Sequence, residues 1–319
     1  MDQVPNDGQS SIIFFGGEPL LAYNRIVETC EYTKSHYTGK NNFRFHIVTN
    51  ATLLNKERID FFAQNNFGVA VSIDGGPEVQ NKQRPLINHK DSYIEVVKHL
   101  DYLLKSIPKA HARATYCDFN ISLTDIYKDL ISLGFRAVFV APDILNAEAD
   151  KNFDALLNQS ELLRNYVLEY VKRHNDFPFS PFARCIRSLF LPRFDFAIDY
   201  GCGLGETAFA VDFRGDIYPC HRYSSNEDQK MGNVYGEFRK SNQIYTSEKC
   251  KTCWNRYSCS HGCSYNDHEL TGSTTMKNEY WFKYSQKLTE LSLTLCSQFS
   301  EKQLMNILAI KPELIDNNN

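Results

Sequence analysis

The 319-residue chain carries 35 basic and 38 acidic side chains, a formal charge of −3, and 42% hydrophobic residues. That balance excludes a polyanion or an anionic membrane as the main partner, and the apolar content excludes intrinsic disorder. No apolar run reaches bilayer length, and the polar start MDQVPNDGQSS has none of the parts of a secretory signal, so a cytoplasmic protein with no nucleic-acid and no membrane partner is expected.

Strand and helix alternate through the first half. Ser11 to Phe15 (SIIFF) is an apolar strand closed by Gly16 and Gly17, and Leu20 to His36 has helical spacing. Strands follow at Phe43 to Val48, Phe67 to Ile73, Ala110 to Tyr116 and Arg136 to Pro142. Helices are expected at Asn55 to Gln64, Ser92 to Lys105 and Leu123 to Leu133. Repetition at this pitch predicts parallel pairing through right-handed crossovers. Five units are too few to close an eight-stranded barrel, so a partial barrel or an open sheet is expected. The site then belongs at the C-terminal ends of the strands, where Gly16-Gly17-Glu18-Pro19, Thr49-Asn50 and Asp74-Gly75 all fall.

Beyond residue 145 the texture changes. Asn146 to Arg173 reads as a long helix within a helical bridge over residues 146–198. From residue 199 the chain turns to glycine, cysteine and short strands. AFAVDF and IYPC are expected to form a β-hairpin around Arg214-Gly215-Asp216, and Glu279 to Leu308 a C-terminal helical region.

The ten cysteines are unevenly placed: six of them, Cys202, Cys220, Cys250, Cys253, Cys259 and Cys263, fall within 62 residues. In a reducing compartment such thiols are metal ligands before they are disulfides. Two thiolates two residues apart, as at Cys250 and Cys253, chelate one centre through a tight turn in zinc and iron–sulfur sites alike. His261 and His268 could complete a zinc site; six thiolates favour clusters, because one zinc takes four ligands.

The pattern C-x12-G-x4-C, gap, C-x2-C-x5-C-x3-C resembles the SPASM motif of radical S-adenosylmethionine (SAM) enzymes that modify peptides, a group similar to anaerobic sulfatase-maturating enzymes. GGEPL, VTNATLL, SIDGGPEVQNKQRP and HARATY line up in order with the radical SAM core. The resemblance implies an α/β partial (βα) barrel over residues 1–145 and a SPASM domain over 199–319. It implies up to two auxiliary [4Fe-4S] clusters, with Cys202, Cys220 and Cys263 on one and Cys250, Cys253 and Cys259 on the other. Cys185 is a candidate further ligand for the first and Cys296 for the second, each with a buried-core alternative. SAM is implied as cofactor, with Gly16, Gly17 and Glu18 gripping its amino group and Asn50, Ser72 and Arg113 at ribose or carboxylate positions. A helix-starting turn also accounts for Gly-Gly-Glu without a ligand, and an inward salt bridge for Arg113. Asp74 could contribute but also suits a turn, and Arg84 could lie on a solvated loop.

His221 stands where the sulfatase-maturating branch has an aspartate base, which puts sulfatase maturation in doubt. A neutral histidine there could still accept a proton, and a hydrogen-bonded loop histidine is the plainer reading. Implied partners are a precursor peptide or protein and an electron donor. The SAM-cleaving cluster needs C-x3-C-x2-C upstream of Gly-Gly-Glu, and these 319 residues contain no such spacing. The expectation is therefore a chain shortened at its N-terminus, lacking the first barrel strand and unable to cleave SAM as it stands. The alternative is a non-catalytic iron–sulfur or zinc protein that binds a peptide or a partner enzyme.

Overall fold

The computed structural model describes residues 9–37, 42–145, 149–191, 202–240, 248–259, 262–273, 276 and 278–308. His261, the boundary at residue 199 and the start of the expected helix at Asn146 lie outside them. The chain divides into two units.

The first unit is a five-stranded sheet in the order β1-β2-β3-β4-β5, with β1 Gln9–Phe14, β2 Asn42–Thr49, β3 Gly68–Ser72, β4 His111–Tyr116 and β5 Val138–Pro142. The pairs β1–β2, β2–β3 and β3–β4 are parallel. A strictly sequential order means that every crossover moves to the same side, as in a segment of a (βα) barrel, rather than reversing as in a doubly wound sheet. Beyond β5 the sheet is extended by a parallel bridge from Val138 to Phe179, where Val138 N donates to Pro178 O at 2.7 Å. All five expected strands are present, with ends shifted by one or two residues. The centre of β3 is apolar because both its faces are covered: Val69 and Val71 on one face and Ala70 on the other are buried.

The connecting helices are α1 Tyr23–Tyr37, α2 Lys56–Gln64, α3 Pro77–Gln83, α4 Tyr93–Val97, α5 Leu100–Ser106 and α6 Leu123–Ser132. Asn55 and Ser122 cap α2 and α6, accepting from Arg58 N and Asp125 N. Two expectations are corrected here. The helix expected from Leu20 begins as a 3₁₀ turn at Pro19–Ala22, because Glu18 caps that turn through Leu20 N. The helix expected over Ser92 to Lys105 is broken between Val97 and Leu100. The short α3 was not foreseen; it starts with Pro at its first position.

The second unit contains α7 Ala149–His174, so the expected bridging helix belongs to the cysteine-rich part. It continues through α8 Ser180–Phe190, a helix inside the expected bridge whose bounds sequence reading did not give, and a three-stranded antiparallel sheet of β6 Ala210–Val211, β7 Asp216–Tyr218 and β8 Gly232–Asn233. The expected hairpin is present, but Asp216 already belongs to β7. The turn is Asp212 to Gly215, with the Asp212 carboxylate accepting from Arg214 N and Asp216 N. Gly215 has φ 84°, and a Cβ there would meet Val234 Cγ2 at 2.7 Å, so both backbone and space demand glycine. The unit ends with α9 Glu248–Lys251, α10 Arg256–Cys259, α11 Ser264–Thr271, α12 Glu279–Cys296 and α13 Glu301–Leu308. No helix among the described residues is long and apolar enough to cross a membrane.

One buried carboxylate pins the C-terminal edge of the sheet. Asp74 accepts from Thr115 N at 2.8 Å and from Arg84 Nε at 2.6 Å, while its own N–H donates to Gln80 Oε1. It thereby ties the end of β3 to β4 and to the residue after α3. Replacing it would orphan a strand amide and leave the Arg84 guanidinium without its partner. Asp74→Ala is expected to lower stability by about 2–4 kcal/mol in urea unfolding of the full chain. A loss below about 0.5 kcal/mol would show that the pin is dispensable.

Candidate functional site

At the C-terminal edge of the parallel sheet lies a cavity of about 710 Å³, within the range of small-molecule sites. Gly16, Gly17, Asn50, Ser72 and Arg113 all line it, each contributed by the end of a different strand or the loop that follows, apart from the adjacent glycines. Gly16 has φ 139°, and a Cβ placed on Gly16 or Gly17 meets no atom within 4 Å, so these two residues leave an open, backbone-lined wall. Arg84 joins the lining from the bend after α3, its side chain partly exposed and held by Asp74. Arg113 is exposed on β4, with its guanidinium 5.9 Å from the Phe15 ring centre. Two guanidinium groups on one wall suit an anionic group such as a carboxylate.

Glu18 is the exception. It is absent from the cavity lining, and its carboxylate is engaged by the chain. Oε1 accepts from Leu20 N at 3.1 Å and Thr49 Oγ1 at 2.7 Å, and Oε2 accepts from Asn50 N at 2.7 Å. Thr49 is buried, and its hydroxyl accepts in turn from Ala51 N. Ala51 sits at φ 64°, a left-handed conformation costly for a residue with a Cβ. The Asn50 side chain completes the turn by accepting from Thr52 N and Thr52 Oγ1. Glu18 therefore latches the Gly-Gly loop to the end of β2, a role for Thr49 and Glu18 that motif reading did not supply.

In the second unit the cysteines form two neighbourhoods, and no disulfide joins any of the ten. Cys220 has Cys202 and Cys263 as charge neighbours, and burial pushes its thiol up. Cys202 opens a tight loop in which Gly203 O accepts from Glu206, Thr207 and Ala208 N. Cys220 caps the 3₁₀ turn His221–Tyr223, and Cys263 is the cap residue of α11. Arg222 spans them: Nη1 lies 3.8 Å from Cys263 Sγ and 2.5 Å from Asn266 Oδ1, and the guanidinium covers the Tyr265 ring at 4.4 Å. Leu204, Tyr218 and Tyr223 form the apolar floor beneath.

The other neighbourhood holds Cys250, Cys253 and Cys259. Cys253 N donates to Cys250 O and Arg256 N to Cys253 O, a run of tight turns that ends in α10. The Cys259 thiol is pushed up by burial and has Cys250 beside it, with Ser285 and Trp281 of α12 as polar contacts. Cys185, expected with the first group, instead has Cys259 as its cysteine neighbour. Cys296 is the last residue of α12, its thiol pushed to about 11, chiefly by burial. Among the described residues no three His, Cys, Asp or Glu side chains form a group that could hold a single metal ion. His221 is exposed, with Nδ1 3.5 Å from Cys220 Sγ.

Residues 1–129 match the radical SAM superfamily. The chain is 30% identical over 181 residues to an uncharacterised protein of Methanocaldococcus jannaschii; the match covers 53% of this chain and spans only 62% of that protein. It is 24% identical to the serine-type anaerobic sulfatase-maturating enzyme of Bacteroides thetaiotaomicron (91% of this chain, 77% of the relative). To the cysteine-type enzyme of Clostridium novyi it is 25% identical (88% and 82%). Among solved structures, native anSMEcpe with bound AdoMet superposes with TM-score 0.76 at 19% identity, covering 97% of this chain and 86% of that one. The same protein with AdoMet and Cp18Cys peptide gives 0.75 at 19%, covering 95% and 86%. At such identity the likeness concerns the fold: a parallel α/β sheet followed by a cysteine-rich region.

The latch is testable without any ligand. Glu18→Gln and Thr49→Val are each expected to cost about 1–3 kcal/mol in urea unfolding. Because the two side chains share a hydrogen bond, the double variant should lose less than the sum, by about 0.5 kcal/mol or more. Unchanged stability in Glu18→Gln would leave ligand binding as the residue's role.

Proposed function

We propose that this chain, a radical SAM maturase-like protein, holds SAM in the cavity at the sheet's C-terminal edge and serves radical modification of a peptide. The observation that carries this reading is the convergence of Gly16, Gly17, Asn50, Ser72 and Arg113 on one cavity of about 710 Å³. The open backbone wall at Gly16 and Gly17 accommodates a close-lying ligand, and Arg113 with Arg84 takes its carboxylate. Asn50 and Ser72 offer polar groups to the ribose. Glu18 acts as a positioning residue that keeps the glycine loop against β2.

Bound SAM beside a reduced [4Fe-4S] cluster supplies radical hydrogen abstraction from a side-chain carbon. Auxiliary clusters fit the two thiol neighbourhoods, Cys202, Cys220 and Cys263 in one and Cys250, Cys253 and Cys259 in the other, because each brings thiols from separate turns together in partly buried surroundings. There they would relay electrons from a donor or hold substrate. His221, exposed at the first of these sites, is proposed as a proton acceptor for the peptide. Its identity, a histidine where the sulfatase-maturating branch has an aspartate, favours a peptide substrate other than a sulfatase.

A second reading is a cluster-bearing peptide-binding protein without radical chemistry, which needs only the two thiol neighbourhoods. The two separate experimentally. The 319-residue chain, reconstituted anaerobically, is expected to form no 5′-deoxyadenosine from SAM under dithionite; joined to an upstream C-x3-C-x2-C segment it should do so. Continued silence in the joined protein would favour the second reading. In equilibrium dialysis Arg113→Ala should weaken SAM binding by about tenfold or more, the value of one charge-assisted hydrogen bond.

A further inference from the structure

We infer that Cys185 closes the second auxiliary site: the thiol on α8 stands beside Cys259 and is the fourth protein ligand, with Cys250, Cys253 and Cys259, of the cluster proposed there. The inference rests on the cluster reading above and goes beyond its motif, since Cys185 lies 65 residues before Cys250 and has no fixed spacing to it.

Three sets of contacts carry it. First, α8 is fastened to the α10 turn on both sides of Cys185. Arg184 Nη2 donates to Cys259 O at 3.5 Å, and Ser188 Oγ meets Ser258 Oγ at 2.7 Å. Residues 184 and 188 bracket Cys185 within one helical turn, so the thiol is delivered to the residue that ends the C-x2-C-x5-C run.

Second, both thiols lie along one seam of α12. The polar groups that act on the Cys259 thiol are Trp281 and Ser285, and those that act on the Cys185 thiol are Thr289 and Ser292. Positions 281, 285, 289 and 292 step by four, four and three, which places them on a single face of the helix. Cys259 is also the one cysteine among the groups that act on the charge of Cys185.

Third, the Trp281 indole N–H is buried and has no hydrogen-bond partner within ordinary limits, while it lies against the Cys259 sulfur. An N–H without an oxygen acceptor beside a thiol is placed to serve a thiolate, and such contacts tune iron–sulfur centres. The alternative ligand, Cys296, sits 11 residues beyond Ser285 on the same helix. That is about 16 Å along the axis, out of reach. The first trio is likewise no competitor, because the cysteine neighbours of Cys220 are Cys202 and Cys263. Ligation by Cys185 is a loss of its proton to solvent as the cluster assembles, with no change in oxidation state of the sulfur.

The test isolates the second site in the full chain. Cys202→Ala/Cys220→Ala, reconstituted anaerobically with ferrous iron and sulfide, should bind about four irons and give a reduced four-iron EPR signal. Adding Cys185→Ala should lower iron to about three or fewer, with a three-iron signal on oxidation. Adding Cys185→Ser, which keeps the volume and offers an oxygen ligand, should retain iron but shift the EPR signal and the midpoint potential. Adding Cys296→Ala should change nothing. Full iron and an unshifted signal in both Cys185 variants would overturn the assignment while leaving the cluster reading intact, provided that Cys250→Ala abolishes the signal. Uptake of zinc in place of iron by the unmodified chain would overturn both.

Discussion

A parallel sheet ends at its C-terminal edge in backbone groups that no neighbouring strand can satisfy, and in this protein two carboxylates meet that need. Glu18 takes the amides of Leu20 and Asn50; Asp74 takes the amide of Thr115 and the guanidinium of Arg84. Buried polar groups left unpaired cost as much as a lost hydrogen bond or more. Because side chains close these strand ends from beneath, the loops above need not pack down on the sheet, and a cavity of about 710 Å³ stays open. The latch also holds strain. Ala51 in the left-handed region costs roughly 1–2 kcal/mol, and the Thr49 hydroxyl that bonds its amide is itself fixed by Glu18. The turn so held is the one that brings Asn50 to the cavity wall.

The cysteine-rich unit obeys a different constraint. Its thiols are presented by turns and helix ends, where the backbone can bring sequence-distant sulfurs together: Cys220 and Cys263 are cap residues, and Cys253 lies in a run of tight turns. Burial pushes the thiols of Cys185, Cys220 and Cys259 up, so each favours the neutral form until a cation joins it. Metal binding reverses that preference by taking the thiolate and releasing the proton, which couples loading to folding. The chain passes from one thiol neighbourhood to the other between Cys259 and Cys263. There Gly262, at φ 76°, lies so close to the Trp281 indole that a Cβ would fall 2.5 Å from it.

Much of the first unit was legible in the sequence because its signals are local. Apolar runs of strand length mark all five strands, the first closed by Gly-Gly and the third by Asp-Gly, and residues just past such runs face the sheet's open edge. Gly16 and Asn50 follow such runs directly, whereas Ser72 and Arg113 lie inside β3 and β4 and were implied by the family resemblance alone. Glu18 was placed correctly in the chain, but its intrachain partners Leu20, Thr49 and Asn50 were not visible there. A carboxylate after two glycines carries one signature whether it meets a ligand or a strand amide, and only the register of β1 against β2 decides. Arg84 was underrated for a similar reason, since its partner Asp74 lies ten residues away across α3. In the second unit the motif cysteines were visible through their spacing. The helix that carries Cys185 was not, because its value lies in contacts with α10 and α12 that no local pattern encodes.

Those contacts explain an oddity of α12. Its seam of Ser285, Thr289 and Ser292 is buried, where leucine would fill space and remove more apolar surface from water. The hydroxyls cost little in unpaired groups, since each donates back to its own helix: Ser285 to Phe282 O, Thr289 to Ser285 O and Ser292 to Leu288 O. What the seam gains is polarity near two thiols. A helix selected for packing alone would close on α8 and α10 with branched apolar side chains. One that must admit a charged inorganic group keeps small hydroxyls along that line and places an indole N–H at its end. The seam, the indole and the bracketing contacts of Arg184 and Ser188 all fit the ligand role proposed for Cys185 with Cys259.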